Sequence, residues 1–349
     1  MHSLPIVVLC CGLLLQGCGA GGPSIGTAEG SVPQRLSDGG VGLPRRPVST
    51  YSIVARDEVT GQMGVAVQSH WFSVGPIVPW AEAGVGAVAT QSLVDPAYGP
   101  LGLDMMRLGK SAPEALGGLL AADEGREVRQ VAMVDARGGI AAHTGARCIR
   151  EAGCTVDTDH TFSCQANLME KDTVWTAMAD AYLASSGDLA ERMLAALEAA
   201  EREGGDIRGR QSAAILIVSG EATGKPWIDR VFDLRVEDHP EPVKELRRLV
   251  GIQRAYNHMN AGDLAMEHDD FETANREYTL AERLAPHIVE IPFWRAVTLV
   301  GSGNVDDALP IFKRVFALEE RWAELIPRLV EAGLLMDDPA VLEKILTQK

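Results

Sequence analysis

Thr50-Tyr-Ser-Ile-Val-Ala-Arg-Asp57, Gly64-Val-Ala-Val-Gln-Ser-His70 and Gly84-Val-Gly-Ala-Val-Ala-Thr-Gln91 decide how this chain folds. They read as three strands, the first two joined by a turn over residues 58–62 and the third, Val85 to Gln91, buried. A threonine opens the first strand, immediately after a long stretch that a protease could cut.

That preceding stretch has two parts. Residues 1–18 read as an export signal, because Leu4 to Leu15 is an apolar run too short to span a bilayer comfortably. It ends in Leu15-Gln16-Gly17-Cys18, which resembles a bacterial lipobox with Cys18 as the lipidated residue, although residues 1–5 lack the Lys or Arg usual in such leaders. An ordinary signal peptide with Cys18 incidental is the alternative. Residues 19–49 are rich in Gly, Pro and Ser and read as a flexible tether. The expected location is therefore the cell envelope or periplasm, with a lipid anchor in the membrane.

The 349 residues suggest about two domains, and a hydrophobic content of 46% is enough to build their cores. A net charge of −16 argues against nucleic acid, since a chain without a basic excess gains little from counterion release. Aromatic residues, at 5%, are too few for rows of base-stacking platforms.

Beyond the first three strands, Tyr98 to Leu108 reads as a short helix, and Ser111-Ala-Pro-Glu114 starts another with a capping box. Arg129 to Asp135 and Gly139 to Thr144 form a hairpin, and Phe162 to Leu168 is a further apolar strand. Asp172 to Ala184 and Leu189 to Glu203 are amphipathic helices, the second capped by Asp188. Ser212 to Val218 and Val231 to Val236 complete the strands. Strand blocks separated by helix pairs predict a layered α+β sandwich rather than a regularly alternating parallel sheet.

From residue 241 the composition turns helical. Gly262, Ala274, Tyr278, Ala281 and Pro286 occupy the positions that tetratricopeptide repeats use for close helix packing, and Ala308, Phe312 and Val315 recur in register. Glu320 replaces the second proline, and residues 323–346 read as a degenerate capping pair; a generic helical bundle is the alternative. The expected domains are 50–240 and 241–349.

Residues 50–250 resemble the bacterial domain of unknown function 1028 family, which is placed with the Ntn-hydrolase (N-terminal nucleophile) superfamily. The resemblance rests on the opening segments, on residues 78–91, on Asp95-Pro-Ala-Tyr-Gly-Pro100, His143-Thr-Gly145, Gln165-Ala-Asn167 and Asp206-Ile-Arg-Gly-Arg-Gln-Ser-Ala-Ala214. It implies a four-layer αββα sandwich whose first strand begins at the nucleophile. In such enzymes a free amino-terminal Thr attacks an amide carbonyl and its own α-amine, which titrates near neutrality, takes the proton. Thr50 is the residue placed for that role, provided the chain is cut before it. Proteasome-like members also use a lysine, yet the first lysine after Thr50 is Lys110. Homo-oligomers are common among such proteins.

The other catalytic candidates are Asn167, as an oxyanion donor or a strand-end cap, and Ser69 with His70 at the end of the second strand. Gln91, His143 and Arg208 are candidates for substrate binding; each also has a structural reading, as a strand end, a turn residue and an ion-paired loop residue. Cys148 and Cys154 enclose a short polar loop and are the expected disulfide in an oxidising compartment, with Cys164 a buried strand residue. A catalytic Cys164 paired with His143 is the competing assignment. No metal site and no cofactor is expected: Gly220-Glu-Ala-Thr-Gly-Lys225 lacks the spacing of a phosphate loop, and Asp157-Thr-Asp159 reads as a solvated turn. Two functions follow as expectations: an Ntn-type amidohydrolase using Thr50, or a non-catalytic envelope lipoprotein that binds a protein partner through its helical region.

Overall fold

The computed structural model describes Val48 and residues 50–349. The leader, Cys18 and the tether up to residue 47 lie outside the described residues, as does Ser49.

An α+β region with two antiparallel sheets comes first. Strand β1, Thr50–Arg56, pairs with β2, Met63–Ser69, in the register Thr50 opposite Ser69. The turn between them is built by Asp57, whose Oδ1 accepts the Val59 and Thr60 amides at 3.1 and 2.7 Å, with Gly61 at φ +70°. The short strand β3, Pro79–Glu82, was not expected; it pairs with β4, Gly86–Ser92, which starts and ends one residue later than the sequence suggests.

Helices α1, Tyr98–Arg107, and α2, Ala112–Ala122, follow. The Ser111 capping box forms as expected, with reciprocal bonds between Ser111 and Glu114. Strands β5, Arg129–Asp135, and β6, Ile140–Thr144, make the hairpin. The structure then adds β7, Gly153–Asp157, which pairs with β8, Phe162–Ala166. Asp157 spends one carboxylate oxygen on the Asp159 and His160 amides, both at 2.9 Å, so it closes the β7–β8 turn.

Helix α3, Val174–Ala184, and helix α4, Leu189–Arg202, come next, with Asp188 accepting the Glu191 amide at 2.9 Å as the cap of α4. Strand β9, Ser212–Val218, a single turn α5, Pro226–Asp229, and strand β10, Arg230–Val236, complete the region. The sheet orders are β10-β9-β2-β1-β8-β7 and β3-β4-β5-β6.

Alternation along the strands divides the buried residues between cores. Tyr51, Ile53 and Ala55 of β1 and Phe162, Cys164 and Ala166 of β8 pack with α3 and α4. Val54, Val65 and Val67 pack with Ala87, Ala89, Ala132 and Val134 of the smaller sheet. The other face of that sheet, at Val88, Val131 and Met133, packs with α1 and α2. Strands β1, β2, β4 and β5 are thus buried on both faces, which is why they read as near-continuous small apolar runs.

The helical region follows without a break. Helix α6, Pro242–Glu267, contributes Val243, Leu246 and Val250 to the α3–α4 core, while Ala255, Met259 and Ala265 join a separate cluster. Helices α7, Phe271–Leu284, α8, Glu290–Gly301, and α9, Val305–Leu318, continue it. Helices α10, Leu325–Glu331, and α11, Pro339–Leu346, end the chain. Gly262 lets α6 approach α7, since a Cβ there would sit 2.8 Å from the Tyr278 ring. Ala274, Ala281, Ala308, Phe312 and Val315 are all fully buried.

Candidate functional site

Thr50 opens β1 with its side chain between the two sheets, fully buried at 0% exposure. Its Oγ1 lies 2.9 Å from the Val48 carbonyl oxygen and 3.2 Å from Ser69 Oγ. Val48 is itself held antiparallel to Ser92, donating to its carbonyl at 2.7 Å and accepting from its amide at 3.0 Å. The chain leading into Thr50 is therefore stitched to the end of β4.

Around Thr50 the inter-sheet core changes from Val and Ala to amide and hydroxyl groups. The Thr50 carbonyl accepts from the Asn167 backbone amide at 3.1 Å, from Gln91 Nε2 at 3.3 Å and from Asn167 Nδ2 at 3.4 Å. Gln91 Nε2 also donates to Gln130 Oε1 at 2.7 Å, and Gln91 Oε1 accepts the Ser52 hydroxyl at 2.7 Å. Gln130 Oε1 accepts Asn167 Nδ2 at 2.9 Å. Gln165 Nε2 donates to Ser52 Oγ at 2.7 Å, and its Oε1 accepts from Ser163 at 2.9 Å. Four carboxamides thus link β1 and β8 of one sheet to β4 and β5 of the other. One acceptor is left over: Asn167 Oδ1 is buried without a hydrogen-bond partner. Burying an unpaired amide group costs about 1–3 kcal/mol on mutational scales.

Gln130 connects this network to the surface. Its Nε2 faces Thr144 Oγ1 at 2.9 Å, the Ala166 carbonyl at 2.9 Å and the Gly153 carbonyl at 3.1 Å. Thr144 and Gly153 line a cavity of about 550 Å³ between the end of β6 and the start of β7, with Cys148, Arg150, Glu151 and Cys154 also on its wall. From the cavity the hydrogen-bonded path runs through Gln130 to Gln91 and Asn167, and through these to the Thr50 carbonyl.

Of the residues singled out in the sequence, Ser69, Gln91 and Asn167 gather at Thr50. His70 belongs elsewhere: its backbone amide donates to Asp206 Oδ2 at 3.3 Å, and its Nδ1 is buried without a partner. Arg208 is engaged by the same Asp206 carboxylate, at 3.0 and 2.7 Å from Nε and Nη2, so an ion pair in its own loop holds it. His143 lies within β6, not in a turn, and its Nε2 meets the Arg126 carbonyl oxygen at 2.8 Å. Lys110 pairs with Glu114 at 3.4 Å on the surface of α2's first turn.

Among the described residues, Cys148, Cys154 and Cys164 are free thiols. Cys148 and Cys154 line one cavity without being bonded to each other, and Cys148 Sγ lies 3.3 Å from the Arg129 carbonyl. Burial pushes the Cys148 thiol up, more than Ser92 and the Gly145 amide pull it down, so it is not an activated nucleophile. Cys164 sits in the α3–α4 core, where burial raises its thiol further. It does not meet His143, which is on the smaller sheet.

Gln130, Gln165, Ser52 and Thr144 escaped the sequence reading. The available signal was a glutamine inside each of several apolar strand runs, since a polar side chain at a core position without a charge partner needs a network. Gln68, in β2, carries the same signal but lies on the opposite face from Ser69, and neither of its amide atoms has a partner.

The family of unknown function DUF1028 matches residues 50–246, more than half of the sequence, and the chain belongs to that family. It is also similar to the crystal structure of a protein from Silicibacter pomeroyi assigned to the same family, at 30% sequence identity and a TM-score of 0.52, over 58% of this chain and 84% of that chain. No curated protein matches the sequence.

Proposed function

We propose that the Thr50 cluster is an Ntn-type amide-hydrolase site, closed in the uncut chain and opened by cleavage between Ser49 and Thr50. The observation that carries this reading is the position of Thr50 Oγ1, buried at the inter-sheet end of β1 beside Ser69 Oγ and the carbonyl of Val48. Packing of α3 and α4 on one sheet and of α1 and α2 on the other supports an αββα Ntn-like sandwich as its frame.

Cleavage releases the peptide that now runs past Ser92 and gives Thr50 an α-amine. The amine takes the Oγ1 proton as Oγ1 bonds to the substrate carbonyl carbon. In this reading the resulting oxyanion takes a hydrogen bond from the Asn167 carboxamide, which in the uncut chain points to the Thr50 carbonyl, a contribution of several kcal/mol in sites of this kind. The proton passes to the leaving nitrogen as the C–N bond breaks, and water then hydrolyses the ester on Oγ1 by the reverse proton path. The substrate class is an amide.

Export through residues 1–18 and lipidation at Cys18 belong to the same proposal and limit it, because a cut before Thr50 frees the domain from the anchor. Self-association, expected from the superfamily, is part of it too. A second reading rests on the full burial of Thr50 and the Val48–Ser92 pairing: the site stays closed, and the protein is a non-catalytic envelope lipoprotein whose tetratricopeptide-like region binds a partner. Intact mass and amino-terminal sequencing of material produced with its own leader separate the two. A chain beginning at Thr50 supports the hydrolase; one that always begins at Cys18 refutes it.

A further inference from the structure

The helical region holds a groove of about 790 Å³ lined by α6, α7 and α8 and by the turn after α10. Its floor is apolar: Met259, Phe271, Trp294 and Val297 from the helices, with Leu334 and Met336 from the turn. Leu334 and Met336 are 58% and 39% exposed, so the turn presents hydrophobic side chains to the opening. The rim is acidic. Asp263, Glu267, Asp269 and Glu290 line the groove, and no Lys, Arg or His does.

Two of these carboxylates are oriented by aromatic partners. Glu290 accepts from the Tyr256 hydroxyl at 3.2 Å and from Trp294 Nε1 at 3.4 Å, and Asp263 accepts from the Tyr278 hydroxyl. Neutral donors leave their negative charge uncompensated. Glu267 and Asp269 are exposed, and neither forms an ion pair with a described residue. Aromatic faces beside uncompensated carboxylates attract a cation with an apolar stem, by the ring quadrupole and by Coulomb attraction together.

We infer that this groove binds a cationic peptide segment, in which Lys or Arg side chains meet the acidic rim and aliphatic or aromatic side chains fill the floor between Met259, Trp294 and Leu334. The inference gives a ligand chemistry to the partner-binding reading above and does not depend on Thr50. The volume suits a few side chains, within the range of ordinary ligand pockets. An acidic peptide is repelled by the same rim, which makes charge the discriminating feature.

The test uses the full chain and three labelled short peptides of one Leu- and Trp-containing sequence, with Lys/Arg, Gln or Glu at the variable positions, followed by fluorescence anisotropy at physiological salt. The Lys/Arg peptide is expected to bind about 10-fold more tightly than the Gln peptide, the Glu peptide not at all. Glu267→Gln with Asp269→Asn should weaken the Lys/Arg peptide about 10-fold, and Leu334→Ser should weaken the Lys/Arg and Gln peptides alike. These positions are exposed, so folding is not at stake. Glu58→Gln with Glu124→Gln removes the same two charges elsewhere and should change nothing. Equal binding of the Lys/Arg and Gln peptides, or equal weakening by the two charge-removing pairs, overturns the inference; in the first case a groove that still loses both peptides on Leu334→Ser keeps the partner-binding reading alive.

Discussion

Replacing Gln130 by Leu tests whether the carboxamide network holds the two sheets together at the Thr50 end. Leucine is close in volume, so the loss is of hydrogen bonds rather than of packing. Five groups face the Gln130 amide: Gln91 Nε2, Asn167 Nδ2, Thr144 Oγ1 and the carbonyls of Gly153 and Ala166. Thr144 and Gly153 line the cavity and can turn to water. Gln91 Nε2 keeps contacts at 3.3 and 3.4 Å. The Ala166 carbonyl keeps its place in the β7–β8 ladder opposite Gly153, so Asn167 Nδ2, fully buried and left with one 3.4 Å contact, bears the cost. One such group gives a loss of about 1–3 kcal/mol.

Urea unfolding with an unchanged m-value and a lowered midpoint is the expected result, with amide exchange in β4, β5 and β8 accelerated most. A loss below about 1 kcal/mol would refute the argument. Gln130→Glu sharpens it, because the acceptor Oε1 is kept while a carboxylate oxygen faces the Gly153 and Ala166 carbonyls. That arrangement favours the protonated acid and raises its folded pKa. The variant's stability is then fully present below the unfolded value of about 4.3 and falls as pH rises through the folded pKa.

Thr50→Ala removes a hydroxyl with two contacts and should cost about 1–2 kcal/mol while abolishing any amide hydrolysis and any cut before residue 50; hydrolysis persisting in the variant would remove Thr50 from the chemistry. On the other face of β1, burial holds the Glu201 carboxyl above its usual range, outweighing the Tyr51 hydroxyl and Arg210 that favour its ionised form. A raised folded pKa contributes stability below the unfolded pKa that is lost as pH rises, so the stability advantage of the native chain over Glu201→Gln should shrink between acid and neutral pH, checked by urea midpoints across that range. Gly64→Ala would put a Cβ 2.3 Å from the Leu216 carbonyl oxygen, and with backbone on the other side a loss of about 1–3 kcal/mol is expected by thermal unfolding.

What was legible in the sequence and what was not follow from the range of the interactions. The Ser111 box, the Asp188 cap and the β1 and β2 runs are local, and each appears where its residues stand. Strands β3 and β7 were missed for a physical reason. Each is an edge strand of four or five mostly half-buried residues, so tertiary pairing rather than side-chain pattern makes it a strand. The domain boundary placed at residue 240 falls just before a 26-residue helix whose first turns belong to the α3–α4 core, a continuity that composition does not show.

The site divides along the same line. Asn167, Ser69 and Gln91 could be named because each lies within a residue of a strand end next to the segments that open the fold, and strand ends of paired strands meet. Gln130 could not, although it is the hub, because only the facing of two sheets brings the middle of its network to Thr50. His70 illustrates the converse: one residue beyond the end of β2, its backbone amide donates to Asp206 and its ring lies near Gly209 of the same loop. The burial of Thr50 follows from the same geometry. A first strand that is central in its sheet and covered by a second sheet can expose its opening hydroxyl only if the chain before it leaves, so the pairing of Val48 with Ser92 is the contact whose loss must accompany any activity. Weakening that pairing by Val48→Pro, which removes the amide that donates to Ser92 at 2.7 Å, should therefore raise solvent access to Thr50 in the uncut chain, read as faster amide exchange at residues 50–52. Unchanged exchange there would mean that the closed state is held by the carboxamide network alone.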